Sequence, residues 1–363
     1  MSGKPVVIIG AGLAGLCCAR ELERNALDAV LLESQDAVGG RVRTDIVDGF
    51  RLDRGFQVLQ TAYPEARRQL NYSSLRLHKF HPGALIRTGA ATVVMSDPWR
   101  RPQDLCSTLF NGVGTLSDRW KLARLRWHVT RKAMEDLWAE PDTTTDDYLR
   151  HTCGFSSDMV DRFFRPWFAG VFLEEKLATS CRFFKFIFRM FAVGDVALPE
   201  DGMGAIAQQL ADGLSSIQIR LSTRVKSLDG MRVHLETGET IESRGVVLAV
   251  DGPEAQRLTN GLIHVPGFHA TTCLYYAAGQ PPFRDKLLML NGHPTPPINH
   301  VCVPTNIVPC DTPDGQALVS VSVVGSKGDL SADLEPSVRR QLRDWFGSQV
   351  DRWSLLRSYI IRN

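Results

Sequence analysis

The chain has 363 residues, 44% of them hydrophobic and 23% charged, and a formal net charge of +2. That length exceeds what one hydrophobic core usually supports, so two domains are expected, and the near-neutral balance excludes nucleic acid as a partner. A strand signal that starts at Val6, no apolar run near the length of a membrane span, and eight cysteines (17, 18, 106, 153, 181, 273, 302 and 310) without a CxxC pair predict a cytoplasmic protein with no leader, no zinc ribbon and reduced thiols.

The first element is the β-branched run Val6 to Ile9, which reads as a buried parallel strand. It enters the turn Gly10-Ala11-Gly12-Leu13-Ala14-Gly15 and then a helix, Leu16 to Arg24. A second strand, Ala29 to Leu32, ends in Glu33. This strand–turn–helix–strand order is the context that makes a glycine motif a dinucleotide site. Gly10 permits the tight turn, Gly12 lets the main chain approach a pyrophosphate, and Gly15 lets helix and strand pack closely. The helix N-terminus then offers free N–H groups and a positive dipole end to the phosphates. Glu33 stands where a carboxylate accepts the ribose hydroxyls and repels a 2′-phosphate, and Ser34 beside it joins the cofactor site.

Six residues after Glu33 comes Gly39-Gly40-Arg41, followed by Thr44. This continuation resembles the extended signature of the flavin-dependent amine oxidase, phytoene desaturase and protoporphyrinogen oxidase superfamily. The resemblance implies FAD as cofactor, with the Gly39-Gly40-Arg41 turn wrapping its pyrophosphate. A planar, permanently charged guanidinium suits that place for Arg41. The segment Asp53-Arg54-Gly55-Phe56-Gln57 resembles the family loop that runs beside the flavin, and so assigns Gly55, Phe56 and Gln57 to the site.

From about residue 98 to 195 the pattern turns helical and rich in arginine and aromatic residues. The aromatics crowded between Phe163 and Phe191 suit either the walls of an apolar tunnel or the packed core of a helical cap, and the core is preferred. The basic stretch from Arg119 to Lys132 suits either a solvated helix face or peripheral contact with anionic lipid, and the solvated face is preferred. His78 and His81 have no metal-ligand spacing and read as structural or exposed. Beyond Leu198 come a helix, Ala205 to Leu214, strands at Ile217 to Leu221 and Thr223 to Leu228, and a hairpin across Thr237-Gly238. The buried run Gly245 to Val250 closes this block. The block resembles the second instalment of the family's nucleotide domain, which implies that Val225 gives backbone hydrogen bonds to the adenine. Strands at Thr271 to Ala278, Ile298 to Val303 and Leu318 to Val324, and a helix from Leu334 to Phe346, complete the chain.

The expected fold is α/β: a Rossmann-like FAD-binding domain interleaved with an α+β substrate domain. Residues 1–60 and 198–260 are assigned to the former, and 61–197 and 261–363 to the latter. Two departures from the family pattern stand out. Amine oxidases carry a lysine in a substrate-domain strand, and the matching position here is Thr272. The resemblance also implies a closing glycine–aspartate segment over the flavin, which the residues up to Asn363 do not contain, so a C-terminally incomplete flavin half is expected. The functional expectation is an FAD-dependent oxidoreductase that passes a hydride from a small organic substrate, preferably apolar and desaturase-like, to the flavin. Oxygen or a quinone would reoxidise it. An amine oxidase, a nicotinamide-dependent dehydrogenase and a truncated, non-catalytic nucleotide-binding protein are the alternatives. No catalytic side chain is assigned.

Overall fold

The computed structural model describes residues 3–89, 91–110, 112–265, 267–293, 295–309, 312–325 and 333–361. Cys310 and the terminal Arg362 and Asn363 lie outside the described residues.

Four short strands form a parallel sheet in the order Gln218–Arg220, Ala29–Leu32, Val6–Ile9, Gly245–Leu248. Val6 is level with Ala29 on one side and with Gly245 on the other. Their apolar runs are covered on both faces, as parallel sheets require. Ile8 and Leu31 point to one side, where the Leu13–Arg24 and Gly204–Asp212 helices bring Leu16, Ala19 and Leu210. Val7, Ile9 and Leu32 point to the other, against Val225, Val233 and Leu235. These belong to an antiparallel meander, Val225–Asp229, Arg232–Leu235 and Thr240–Glu242. The first helix begins at Leu13, three residues earlier than its apolar spacing predicts, because Gly12 already serves as its N-cap.

The second large sheet has seven strands in the order Ser354–Ile361, Thr271–Ala278, Ala317–Val324, His300–Cys302, Leu288–Asn291, Gly83–Thr88, Ala91–Ser96. Every pairing is antiparallel except that between Leu288–Asn291 and Gly83–Thr88. The Leu334–Phe346 helix lays Val338 and Leu342 on Leu274, Tyr276 and Val321. The sequence reading has neither the Gly83–Ser96 hairpin nor the final strand, and it makes the His300–Cys302 strand longer than it is. A small sheet, with Val196–Leu198 between Leu59–Gln60 and His78–Lys79, brings the chain on either side of the helical region together. That region rests on the Leu116–Arg131, Arg165–Phe172 and Cys181–Val193 helices. Thr115 and Asp118 form a capping box at the start of the first of these. Its outer face leaves Trp120 and Trp127 exposed. Among the described residues, no helix is long and apolar enough to cross a membrane.

Candidate cofactor and substrate site

The three glycines of the first turn do different work. Gly10 adopts φ +102°, and a Cβ there would lie 2.6 Å from the Ala249 carbonyl oxygen. A Cβ on Gly15 would lie 1.9 Å from the oxygen of Gly10, so helix and strand approach as closely as backbones can. Gly12 is unlike both. Nothing in the chain lies within 4 Å of the place a Cβ would take, and the helix it begins has no side-chain cap. The open side of Gly12 and the uncapped N–H groups of Leu13, Ala14 and Gly15 therefore make a cradle for an anion.

The second glycine turn is joined directly to the first. Gly39 N–H donates to the Ala11 oxygen at 2.8 Å, Gly12 and Gly39 form a parallel bridge, and Gly40 sits against the Cα of Gly12. Glu33, 7% exposed, ties the end of the second strand to the same turn. Its carboxylate accepts from Ala11 N–H and Gln35 N–H, both at 2.8 Å, and from the Ser34 hydroxyl at 3.3 Å. A carboxylate has about four acceptor directions, so two backbone bonds fix it and leave capacity for hydroxyls. Arg41 is exposed at the edge of this turn. The Gln57 amide donates to the Arg41 carbonyl at 2.9 Å, which fastens the Gly55-Phe56-Gln57 loop onto the glycine turns. Gly55, at φ +91°, has Ile361 of the final strand against it. Val225 is further off in role: its side chain is buried under the parallel sheet, and its carbonyl accepts from Arg257 at 2.8 Å.

On the other side of Phe56 lies a cavity of about 350 Å³. Its walls come from Phe56 to Tyr63, Phe80 to Ala84, Met95 to Arg100, the helical region, and Leu288, Leu290 and His300. The crowded aromatics divide between the two readings of the sequence. Phe163, Trp167, Phe188 and Phe191 line this cavity. Phe164, Phe168, Phe172 and Phe184, one helical face away, pack the core beneath it. Among the polar side chains of the wall that the sequence reading does not select are Gln60 and His300. They come from strands some 240 residues apart, and no spacing links them. His81, read as structural or exposed, also lines this wall, while His78 faces Glu200 at 3.4 Å. No cluster of metal-ligating side chains occurs among the described residues.

The chain matches the family described as flavin containing amine oxidoreductase over residues 13–359. It belongs to that family. Protoporphyrinogen oxidase 2, chloroplastic/mitochondrial, of Arabidopsis thaliana is 24% identical over 177 residues, 47% of this chain and 33% of that protein. Polyamine oxidase 3 of Oryza sativa subsp. japonica is 45% identical over 49 residues, 14% of this chain and 10% of that protein. The matched stretches thus span a third or less of the length of these curated relatives. An oxidoreductase from Methanosarcina mazei superposes with a TM-score of 0.77 over 99% of this chain and 88% of that structure; at 16% identity this is a likeness of fold. The family is flavin-containing, and the cofactor of this chain is FAD.

The residues present fit that cofactor. An open glycine at an uncapped helix start suits a pyrophosphate, and a fixed acid at the end of the adjacent strand suits a ribose. A further element, outside the sequence assignment, braces the loop that follows. Thr44 donates to Asp53 at 2.5 Å, and Asp53 accepts Met203 N–H at 2.9 Å. Thr44 in turn accepts Gly204 N–H at 2.9 Å. Burial pushes the Asp53 carboxyl up to about 6, against the pull of both hydrogen bonds. An acid closing the strand just before Arg54-Gly55 was the available signal. Thr272 lies in the predicted strand, Thr271–Ala278. Neighbouring strand residues point to opposite faces, and Thr272 shares the face of Leu274 and Tyr276, toward the Leu334–Phe346 helix. The face that meets Phe56 carries Cys273 and Tyr275 instead.

Proposed function

We propose that this protein oxidises an uncharged, largely apolar organic molecule held in the cavity beside Phe56. FAD, when bound, supplies the two-electron acceptor that takes a hydride from the substrate, and oxygen or a quinone carries those electrons away. Gly12, with the amides of Leu13 to Gly15, holds the pyrophosphate, with Gly39, Gly40 and Arg41 alongside. Glu33, fixed by Ala11 and Gln35 and flanked by Ser34, takes the ribose. Gly55, Phe56 and Gln57 run beside the flavin, and Val225 lies near the adenine. Residues 1–60 and 198–260 form the FAD-binding domain, and 61–197 with 261–363 the substrate domain. The parallel sheet draws all its strands from the first pair of segments and the seven-stranded sheet all its strands from the second, which supports that division. The free thiols of the described cysteines favour a cytoplasmic setting.

One observation carries this reading: a single short loop, Phe56-Gln57, is both fastened to the glycine turns and part of the cavity wall. Its aromatic and aliphatic lining exclude water and favour an apolar guest. The charge in the wall does not suit an ammonium ion. Asp97 is paired with Arg126 at 2.8 Å, and Arg100 is paired with Asp195. Polyamine oxidase 3 is named for polyamines, and this cavity holds no surplus acid to receive one. The test is anaerobic reduction of the flavin, followed by bleaching of its absorbance. Uncharged cyclic alkenes or alcohols are expected to reduce it, and spermidine or putrescine is not. Rapid reduction by either amine and by no uncharged molecule would overturn the reading.

A further inference from the structure

Among the polar side chains of the cavity wall, two carry buried atoms without hydrogen-bond partners. Gln60 is 3% exposed, and neither its amide oxygen nor its amide nitrogen has a hydrogen-bond partner. His300 is 5% exposed, and its Nε2 has none either. Both line the cavity wall. A buried polar atom left unpaired costs stability, so folds seldom keep one without a use.

Both groups are held in place. The Gln60 backbone is paired with Val196 in the small sheet, and His300 lies in the seven-stranded sheet with its ring edge-on to Phe56, centroids 4.9 Å apart. The His300 Nδ1 lies 2.8 Å from the Asn299 Oδ1. That side-chain oxygen accepts only, so Nδ1 carries the proton and Nε2 presents a lone pair. Burial keeps the ring uncharged, holding it down at about 3. His300 Nε2 thus asks for a donor, and the Gln60 amide offers both a donor and an acceptor.

We propose that Gln60 and His300 are specificity-determining residues that recognise a neutral hydroxyl group on an otherwise apolar substrate. The substrate O–H donates to His300 Nε2, and a substrate oxygen accepts from the Gln60 amide. The favoured class is an alcohol or phenol on a hydrocarbon scaffold, in preference to a bare hydrocarbon or an ammonium ion. This rests on the cavity being the substrate site.

Equilibrium dialysis of the FAD-loaded protein with 2-naphthol and with 2-methoxynaphthalene separates the two ideas, because the scaffolds match and only the O–H differs. The wild type is expected to bind 2-naphthol about tenfold more tightly, the value of one net hydrogen bond. His300→Phe keeps a ring beside Phe56 and is expected to bring the two ligands within about twofold while leaving the ether's affinity unchanged. Gln60→Leu is expected to weaken both ligands, since both oxygens accept, and to raise the melting temperature of the ligand-free protein by removing two unpaired groups. Equal binding of the two probes by the wild type overturns the proposal and leaves the apolar site standing. A lower melting temperature in Gln60→Leu makes that amide structural and overturns its role. Binding of neither probe overturns the cavity reading itself, and the proposal with it.

Discussion

The turns around Gly12 and the cavity beside Phe56 share a loop, yet the chain builds them differently. Around Gly12 every one of these contacts has a backbone group on at least one side: Gly39 to Ala11, Ala11 and Gln35 to the Glu33 carboxylate, Gln57 to the Arg41 carbonyl. The principal residues lie within 10–57. Side chains drawn from 56 through 300 shape the cavity, and two of its polar groups are left unanswered. A cofactor common to many proteins is met by main-chain geometry, which tolerates sequence change. A particular substrate is met by side chains, which do not.

The comparison breaks most sharply at Gly12. Gly12→Val is expected to abolish retention of FAD, because the added side chain fills the one open approach to the turn. The fold should survive, since nothing in the chain lies within 4 Å of the new Cβ and the position has φ −72°, which any residue adopts. Gly15→Ala should instead prevent folding, given a Cβ 1.9 Å from the Gly10 oxygen. Flavin absorbance after gel filtration, beside the melting temperature of each variant, reads both effects. Should Gly12→Val keep its yellow colour, the cradle has been placed wrongly.

Within the cavity region the contrast lies between two layers of the same aromatic cluster. Phe164 is fully buried in the core, and Phe191 is a partly buried wall residue. Phe164→Ala is expected to cost about 3–5 kcal/mol in urea unfolding, the range for truncating a core phenylalanine. Phe191→Ala opens onto existing space and should cost about 1–2 kcal/mol, while altering which apolar probes bind. Equal losses would mean that the wall is simply more core.

What was legible in the sequence follows the same division. Val6–Ile9, Ala29–Leu32, Thr271–Ala278 and Leu334–Phe346 appear at their expected bounds, because each is a long enough apolar pattern to declare its period. The glycine turns were legible because backbone needs dictate residue type at fixed spacing. Gln60 and His300 were not, since a glutamine in a two-residue strand and a histidine in a three-residue one carry no local signal. Thr272 lies in the strand expected for it, but a count along a strand leaves the face undetermined, since one residue reverses it.

Asp53 sits between the two regions and gives the subtlest test. Its carboxyl is lifted from 3.8 to about 6 by burial, so from pH 4 to 6 the folded protein keeps a proton that the unfolded chain has lost. The Asp53 contribution to stability must therefore fall as pH rises through that window and level off above it, by about 2–3 kcal/mol. Asp53→Asn cannot ionise, and its amide oxygen can still accept from Thr44 and Met203. The variant should match the wild type in urea unfolding near pH 4 and exceed it by that margin at pH 7. Parallel curves across the range would show that the carboxylate is already charged when folded. The Thr44–Asp53–Met203 link would then be an ordinary ionic hydrogen bond, and the boundary between cofactor turn and cavity would owe nothing to burial.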